Sequence, residues 1–324
     1  MKTNNLLILA VPVLALFGRF AFADNVTQVL GFVEESQQSS WDAAKKKSES
    51  KMETNLRVSF IKRDGKWTSL CPVTLPPDAV HRCESKTSPQ PTNWLVVHNG
   101  KEVSQIKSGQ RVRPNYSVTA SLYGITSPNV PHAGEPDARF SGWTGNEVHR
   151  PLVAVSRKQY RDVDGWKETK STTDIDLIWP HFQKMIGGAV KSCERDKDGN
   201  PVEKTISLKK PHMTVRYAFV ARDGRRLLSA VLDPNVFQSC EGVMDKASSD
   251  HLFFVNDKKQ VSAITVSYRY ADTNAVYLEP IEFGDYDGNG KSEAVFWLSS
   301  YNEDGYILIP DNFSEAIAFT WIYH

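Results

Sequence analysis

Apolar residues in this chain recur at every second position in short runs, and Asp-Gly or Asn-Gly pairs separate many of those runs. Leu56–Lys62 places Val58, Phe60 and Lys62 on one face and Arg57, Ser59 and Ile61 on the other, and Asp64-Gly65 then leads into Trp67–Cys71. Such a pair between two alternating runs predicts a β-hairpin, since both residues tolerate the left-handed backbone of a tight turn. The same grammar recurs at Trp94–His98, Asn99-Gly100 and Val103–Ile106, and again at Met213–Ala221, Asp223-Gly224 and Leu227–Leu232. Further strands are expected at Leu252–Val255, Val261–Tyr268, Val276–Phe283 and Ala294–Leu298. Ile317, Phe319, Trp321 and Tyr323 keep a period of two over Ala316–Tyr323, which predicts a half-buried terminal strand.

One stretch breaks the alternation. Ser171-Thr172-Thr173-Asp174 precedes Ile175, Leu177, Ile178, Phe182, Met185 and Ile186, and Gly187-Gly188 follows. Polar capping residues before a helical period and glycine after it predict one capped helix, starting near or kinked at Pro180. Glu34–Asn55, Glu84–Thr92 and Thr126–Arg139 have few apolar residues and are expected as surface loops, with Lys45-Lys46-Lys47 on a solvated face. The pattern predicts an all-β protein, mainly antiparallel with one short helix, its sheets sandwich- or propeller-like in two β-rich halves. The division is a β-rich region over 24–170, a helical connection over 171–190 and a second β-rich region over 191–324.

Composition narrows the partners. The 324 residues are 40% hydrophobic and 24% charged, which excludes a coiled coil, a collagen-like repeat and a wholly disordered chain. With 39 basic and 38 acidic residues, no global charge favours nucleic acid or an anionic membrane.

Residues 1–23 read as a secretory signal peptide: Lys2 supplies positive charge, Leu6–Phe17 is apolar, and Ala21-Phe22-Ala23 offers an A-x-A cleavage site. The apolar run is well short of the about 20 residues a membrane-spanning helix needs, which weighs against the alternative of an uncleaved anchor. Cleavage would remove Lys2 and Arg19 from the 39 basic residues, leaving 37 against 38 acids, and a secreted or periplasmic product without a membrane span is expected. Cys71, Cys83, Cys193 and Cys240 are an even set in a chain bound for an oxidising compartment, so disulfides are the default reading. Of the three connectivities, Cys71–Cys83 with Cys193–Cys240 is favoured because each closes a loop inside one half. A zinc site on these cysteines is the competing reading, but no C-x-x-C or paired-His spacing accompanies them.

Chemistry concentrates near the end of the chain. Residues 284–293 place Asp285, Asp287, Asn289 and Glu293 at loop positions 1, 3, 5 and 9, and Lys291 at position 7 can offer its carbonyl. Calcium takes six to eight oxygen ligands, and alternating Asp/Asn with glycine at position 6 aims them at one point. Position 12 is Phe296, so a standard EF-hand is excluded. The plain alternative is an Asp/Asn/Gly turn that binds nothing. Asp196–Asn200 is read as such a turn, because Pro201 interrupts it and position 9 is Lys204.

From Asp285 to Phe296 the loop resembles the calcium loop of FG-GAP/VCBS-type repeats, D-x-D-G-D/N-G-x-x-D/E followed by an apolar strand. It also resembles the tail of a poorly characterised group of secreted bacterial proteins, in which this loop precedes a Tyr-Asn-x-Asp-Gly-Tyr turn, here Tyr301–Tyr306, and a terminal aromatic strand, here Phe319–His324. His149–Ala154 and Asp162–Lys167 are similar to that group as well. The resemblance implies a calcium-stabilised β structure with Asp285, Asp287, Asn289, Lys291 through its carbonyl, and Glu293 as ligands. FG-GAP repeats come in series and build propellers, whereas this chain carries one good copy. The resemblance brings no established activity.

Catalytic signatures of the G-x-S-x-G and H-E-x-x-H kind are missing, and the S-x-x-K matches at Ser48–Lys51 and Ser207–Lys210 are of chance length. The eight histidines stand singly, without metal spacing, and read as turn or core-edge residues. The functional expectation is a secreted, calcium-stabilised binding or adhesion-type protein without catalytic activity, with an unknown protein or glycan ligand. The alternatives are an extracellular hydrolase using a carboxylate pair placed by the fold and a structural component of the cell envelope.

Overall fold

The computed structural model describes residues 28–42, 46–70, 93–112, 122–142, 147–170, 174–238, 248–268 and 275–322. The expected signal peptide, Cys71, Cys83, Cys240 and the loop at Glu84–Thr92 lie outside the described residues.

The first half supplies strands β1 (Gln28–Asp42), β2 (Lys47–Arg63), β3 (Lys66–Ser69), β4 (Asn93–His98), β5 (Lys101–Arg111), β6 (Leu122–Ile125), β7 (Ala133–Asp137), β8 (Val148–Arg150) and β9 (Leu152–Val155). Strands β1, β9, β4, β5, β6 and β2 pair in that order, and β2 pairs back onto β1, closing a six-stranded antiparallel barrel with β3 appended to β2. Closure leaves these six strands no open edge. Asp64 and Asn99 adopt φ of +50° and +51° at the β2–β3 and β4–β5 turns, as expected for Asp-Gly and Asn-Gly hairpins.

The second half begins with β10 (Lys167–Glu168), helix α1 (Ile175–Ile186), and the hairpin β11 (Ala189–Arg195) and β12 (Pro201–Ser207). It continues through β13 (Met213–Val220), β14 (Arg226–Leu232), β15 (His251–Val255), β16 (Val261–Val266), β17 (Val276–Gly284), β18 (Glu293–Ser300), β19 (Glu303–Ile309) and β20 (Glu315–Ile322). Nine of them form a curled half-barrel in the order β10-β13-β14-β15-β16-β20-β19-β18-β17, with β16–β20 its parallel pair. The barrel and the half-barrel make an all-β, sandwich-like fold.

Strands β17–β20 are buried on both faces. Ile281, Val295, Trp297, Tyr306, Leu308, Phe319 and Trp321 join one core with the barrel, while Leu278, Phe283, Phe296, Leu298, Ile307 and Ile309 join a second core with β13–β16. The terminal strand is therefore not half-buried as its period suggested: Ala318 to Ile322 are all buried, Thr320 included. Burial on both faces also explains why β2 hides Arg57, which is 3% exposed. Its guanidinium pairs with Glu34 at 2.6 Å and lies 3.9 Å from the Trp321 ring centroid, and Tyr306 O–H donates to the same carboxylate.

Other expectations change as well. Glu34–Asn55 is mainly a long hairpin extension of β1 and β2, paired from Glu34–Asn55 out to Asp42–Lys47. A backbone ladder propagates from the barrel register without needing apolar side chains. Thr126–Arg139 holds β7 and the start of a short 3₁₀ turn, Ala138–Phe140. Helix α1 begins before Pro180 and continues past it, with Ile178 and Phe182 buried in one cluster with Leu228 and Phe253. Asp174 stands at its N-cap without a capping hydrogen bond, because its carboxylate pairs with Arg226 on β14. The Tyr301–Tyr306 segment turns only at Tyr301-Asn302, and Asp304 and Gly305 already lie inside β19.

Candidate metal loop

The loop expected to bind calcium connects β17 to β18, so Asp285 follows the last residue of one strand and Glu293 opens the next. Strand pairing of Gly284 with Glu293 brings the two ends of the loop together. Gly288 has φ +82°, a left-handed backbone angle that favours glycine at this turn.

Asp285, Asp287 and Glu293 each place a carboxylate oxygen within 4.8 Å of the others. Oxygens on opposite sides of a calcium ion are at most about 5 Å apart, so the grouping is one that could hold a metal ion. Asp285 is 5% exposed and Glu293 fully buried. Backbone N–H groups orient the carboxylates: Gly288 and Gly290 donate to Asp285 at 2.5 and 3.1 Å, Asn289 donates to Asp287 at 2.8 Å, and Tyr286 donates to Glu293 at 2.9 Å.

Asn289 and the Lys291 carbonyl are the other two expected ligands. Asn289 accepts from the Lys291 N–H through its amide oxygen and turns its amide N–H groups to Asp287 and Asp311, at 3.3 and 3.0 Å. Lys291 is exposed, with its ammonium 3.7 Å from Asp311.

Residues that local spacing could not reveal complete the site. Lys62 on β2 pairs its ammonium with Asp287, Trp67 Nε1 on β3 donates to Glu293 Oε1 at 3.1 Å, and Arg157 donates to the Asp285 carbonyl at 2.9 Å. The Ser292 N–H donates to Asp164 at 2.8 Å. The loop is thus clamped by the barrel strands and by the segment leaving the barrel.

Burial dominates the electrostatics. It pushes the Glu293 carboxyl up to about 9, aided by the neighbouring Asp287. Burial also pushes Asp287 up, but the hydrogen bond from Glu293 and the Lys62 ammonium outweigh it and hold this carboxylate below its ordinary range. Asp285 is raised by burial in spite of the Gly288 and Gly290 N–H groups and Arg157. Without a metal, one proton on Glu293, the Lys62 ammonium and the Arg157 guanidinium, 3.8 Å from Asp285, offset the three carboxylates.

Neither a family model, nor a curated protein, nor a solved structure matches the chain.

A cavity of about 410 Å³ lies between the β4–β5 turn, β8 and β17. Arg150, Asp162, Trp166, Lys167, Arg222 and Glu282 are among its lining residues. Arg150 Nε and Trp166 Nε1 are buried without a hydrogen-bond partner among the described residues. Burial raises Glu282, the kind of shift a general acid uses. Yet its two oxygens accept from Asn99 N–H at 2.6 Å and Gly100 N–H at 3.1 Å, which ties it to the β4–β5 turn as a capping group.

Cys193 lies on β11, where its N–H donates to the Gln238 carbonyl at 2.7 Å, two residues before Cys240.

Proposed function

We propose that this is a secreted binding or adhesion-type protein whose two sheets are stapled by one calcium ion, held by a loop of the FG-GAP/VCBS type. The observation that carries the reading is the convergence of the buried Asp285, Asp287 and Glu293 carboxylates at the seam between barrel and half-barrel. Bound calcium would supply positive charge to carboxylates that otherwise need a proton, Lys62 and Arg157. Its binding energy would add to folding energy, since the ligand set exists only in the folded chain.

The cavity between the sheets supports the binding role. Its Arg150, Lys167 and Arg222 side chains, beside the carboxylates of Asp162 and Glu282, suit a hydroxyl-rich ligand such as a glycan. The tying of Glu282 by two backbone N–H groups favours binding over hydrolysis there.

Thermal unfolding in calcium and then in chelator tests the staple. Saturation at a hundred times Kd adds about 2.7 kcal/mol, which should raise the midpoint by about 5 °C or more. Asp287→Ala should abolish that shift. Equal midpoints in calcium and chelator for the unmodified protein would reduce the loop to a turn and sink the reading.

A further inference from the structure

A second cluster of ligating side chains sits on the barrel, away from the acidic loop. Glu35 on β1, His132 just before β7 and His149 on β8 each place a ligating atom within 4.8 Å of the others. His149 Nδ1 is 3.0 Å and His132 Nδ1 3.5 Å from the same oxygen, Glu35 Oε1. The two imidazole centroids are 4.4 Å apart with the rings tilted by 42°, so they converge without stacking flat.

The contacts are not those of a satisfied hydrogen-bond triad. The other carboxylate oxygen, Oε2, accepts the His149 backbone N–H at 2.8 Å, which fixes the carboxylate and leaves Oε1 facing both rings. His149 Nδ1 is buried and, despite its proximity to Oε1, lies outside hydrogen-bonding geometry with any described group.

The spacing has a specific meaning. Zinc bonds to imidazole nitrogen and carboxylate oxygen at about 2.0–2.2 Å, so adjacent corners of its tetrahedron are about 3.3–3.5 Å apart. The observed 3.0 and 3.5 Å are close to that edge. Two imidazoles with one carboxylate also suit a borderline cation, unlike the all-oxygen set of the acidic loop. The His132 side chain is 41% exposed, so one side of the cluster opens to solvent. We propose that Glu35, His132 and His149 bind a zinc ion, leaving its fourth coordination position open to water or to a donor atom of a ligand.

Competition of the purified protein against a chromophoric zinc chelator tests this, in excess calcium so that the acidic loop is occupied or indifferent. The expected result is one zinc per chain, with cobalt(II) in its place showing the visible absorption of tetrahedral coordination. His132→Ala, His149→Ala and Glu35→Gln should each raise the zinc Kd at least about tenfold, since loss of a supporting hydrogen bond alone costs metal sites about 10–100-fold. His132 is exposed, so His132→Ala should keep its thermal midpoint and remain informative if His149→Ala does not fold. Asp287→Ala should leave zinc binding unchanged. Absence of zinc binding, wild-type Kd in the two histidine variants, or loss of zinc only in Asp287→Ala would each overturn the assignment.

Discussion

Trp67 Nε1 donates a hydrogen bond to Glu293 Oε1 at 3.1 Å, joining an appended barrel strand to the first residue of β18 across 226 positions. The indole is 4% exposed and the carboxyl fully buried, so neither has water as a substitute partner. Removing one partner of a buried hydrogen bond costs about 1–3 kcal/mol. Trp67→Phe should therefore lose stability of that order in urea unfolding with chelator present. A variant as stable as the parent would show that this contact does not clamp the loop.

Lys62 is the internal counter-cation of the loop, with its side chain 16% exposed and that of Asp287 only 2%. A unit charge 4 Å away at an effective dielectric constant near 20 is worth about 4 kcal/mol, and a divalent ion feels more. Lys62→Met should unfold more readily in chelator yet bind calcium at least about tenfold more tightly by isothermal titration. Weaker calcium binding in this variant would contradict the counter-ion role.

Glu293 sets a pH dependence whose sign follows from its raised value. Folded and metal-free, it holds its proton up to about 9, while the unfolded chain releases it near 4.5. Over that window the folded state binds more protons, so stability in chelator falls as pH rises, by at most about 1.4 kcal/mol per pH unit. Glu293→Gln keeps a neutral donor beside Asp287 and should flatten the slope. The same slope in parent and variant would rule out Glu293 as its source.

Gly305 sits inside β19 opposite Thr320, where a Cβ would fall 2.3 Å from the Phe319 carbonyl oxygen and 2.8 Å from Thr320 Cα. Backbone atoms cannot rotate aside, so Gly305→Ala should approach the upper end of the about 1–3 kcal/mol that overpacking costs. An unshifted melting temperature would mean that β19 and β20 can separate freely.

Peptide mapping of the unreduced protein should recover Cys193 linked to Cys240. The Cys193 N–H bond to Gln238 and the Gln238 N–H bond to Ser192 Oγ at 3.0 Å hold the two chain segments side by side. Recovery of Cys193 with Cys71 or Cys83 would refute the local pairing.

Local chemistry was enough to place most strands. Asp64-Gly65, Asn99-Gly100 and Asp223-Gly224 mark real hairpins, because a tight turn is decided by a few backbone angles that neighbouring residues set. Asp285, Asp287 and Glu293 were equally readable, since strand pairing at the loop's base brings positions 1, 3 and 9 together.

Long-range pairing decided the rest. Polar composition hid the β1–β2 extension, whose ladder is backbone-made. The alternation of Ile317, Phe319 and Trp321 correctly marked one buried face but could not show that a second core covers the other. Nothing local to Lys62 or Trp67 ties them to Asp287 or Glu293, and nothing in the spacing of Glu35, His132 and His149 joins them. Spacing along a chain reports on geometry only within one turn or strand. Barrel closure and the stacking of one curved sheet on another bring distant side chains together, so those clusters exist only in the folded molecule.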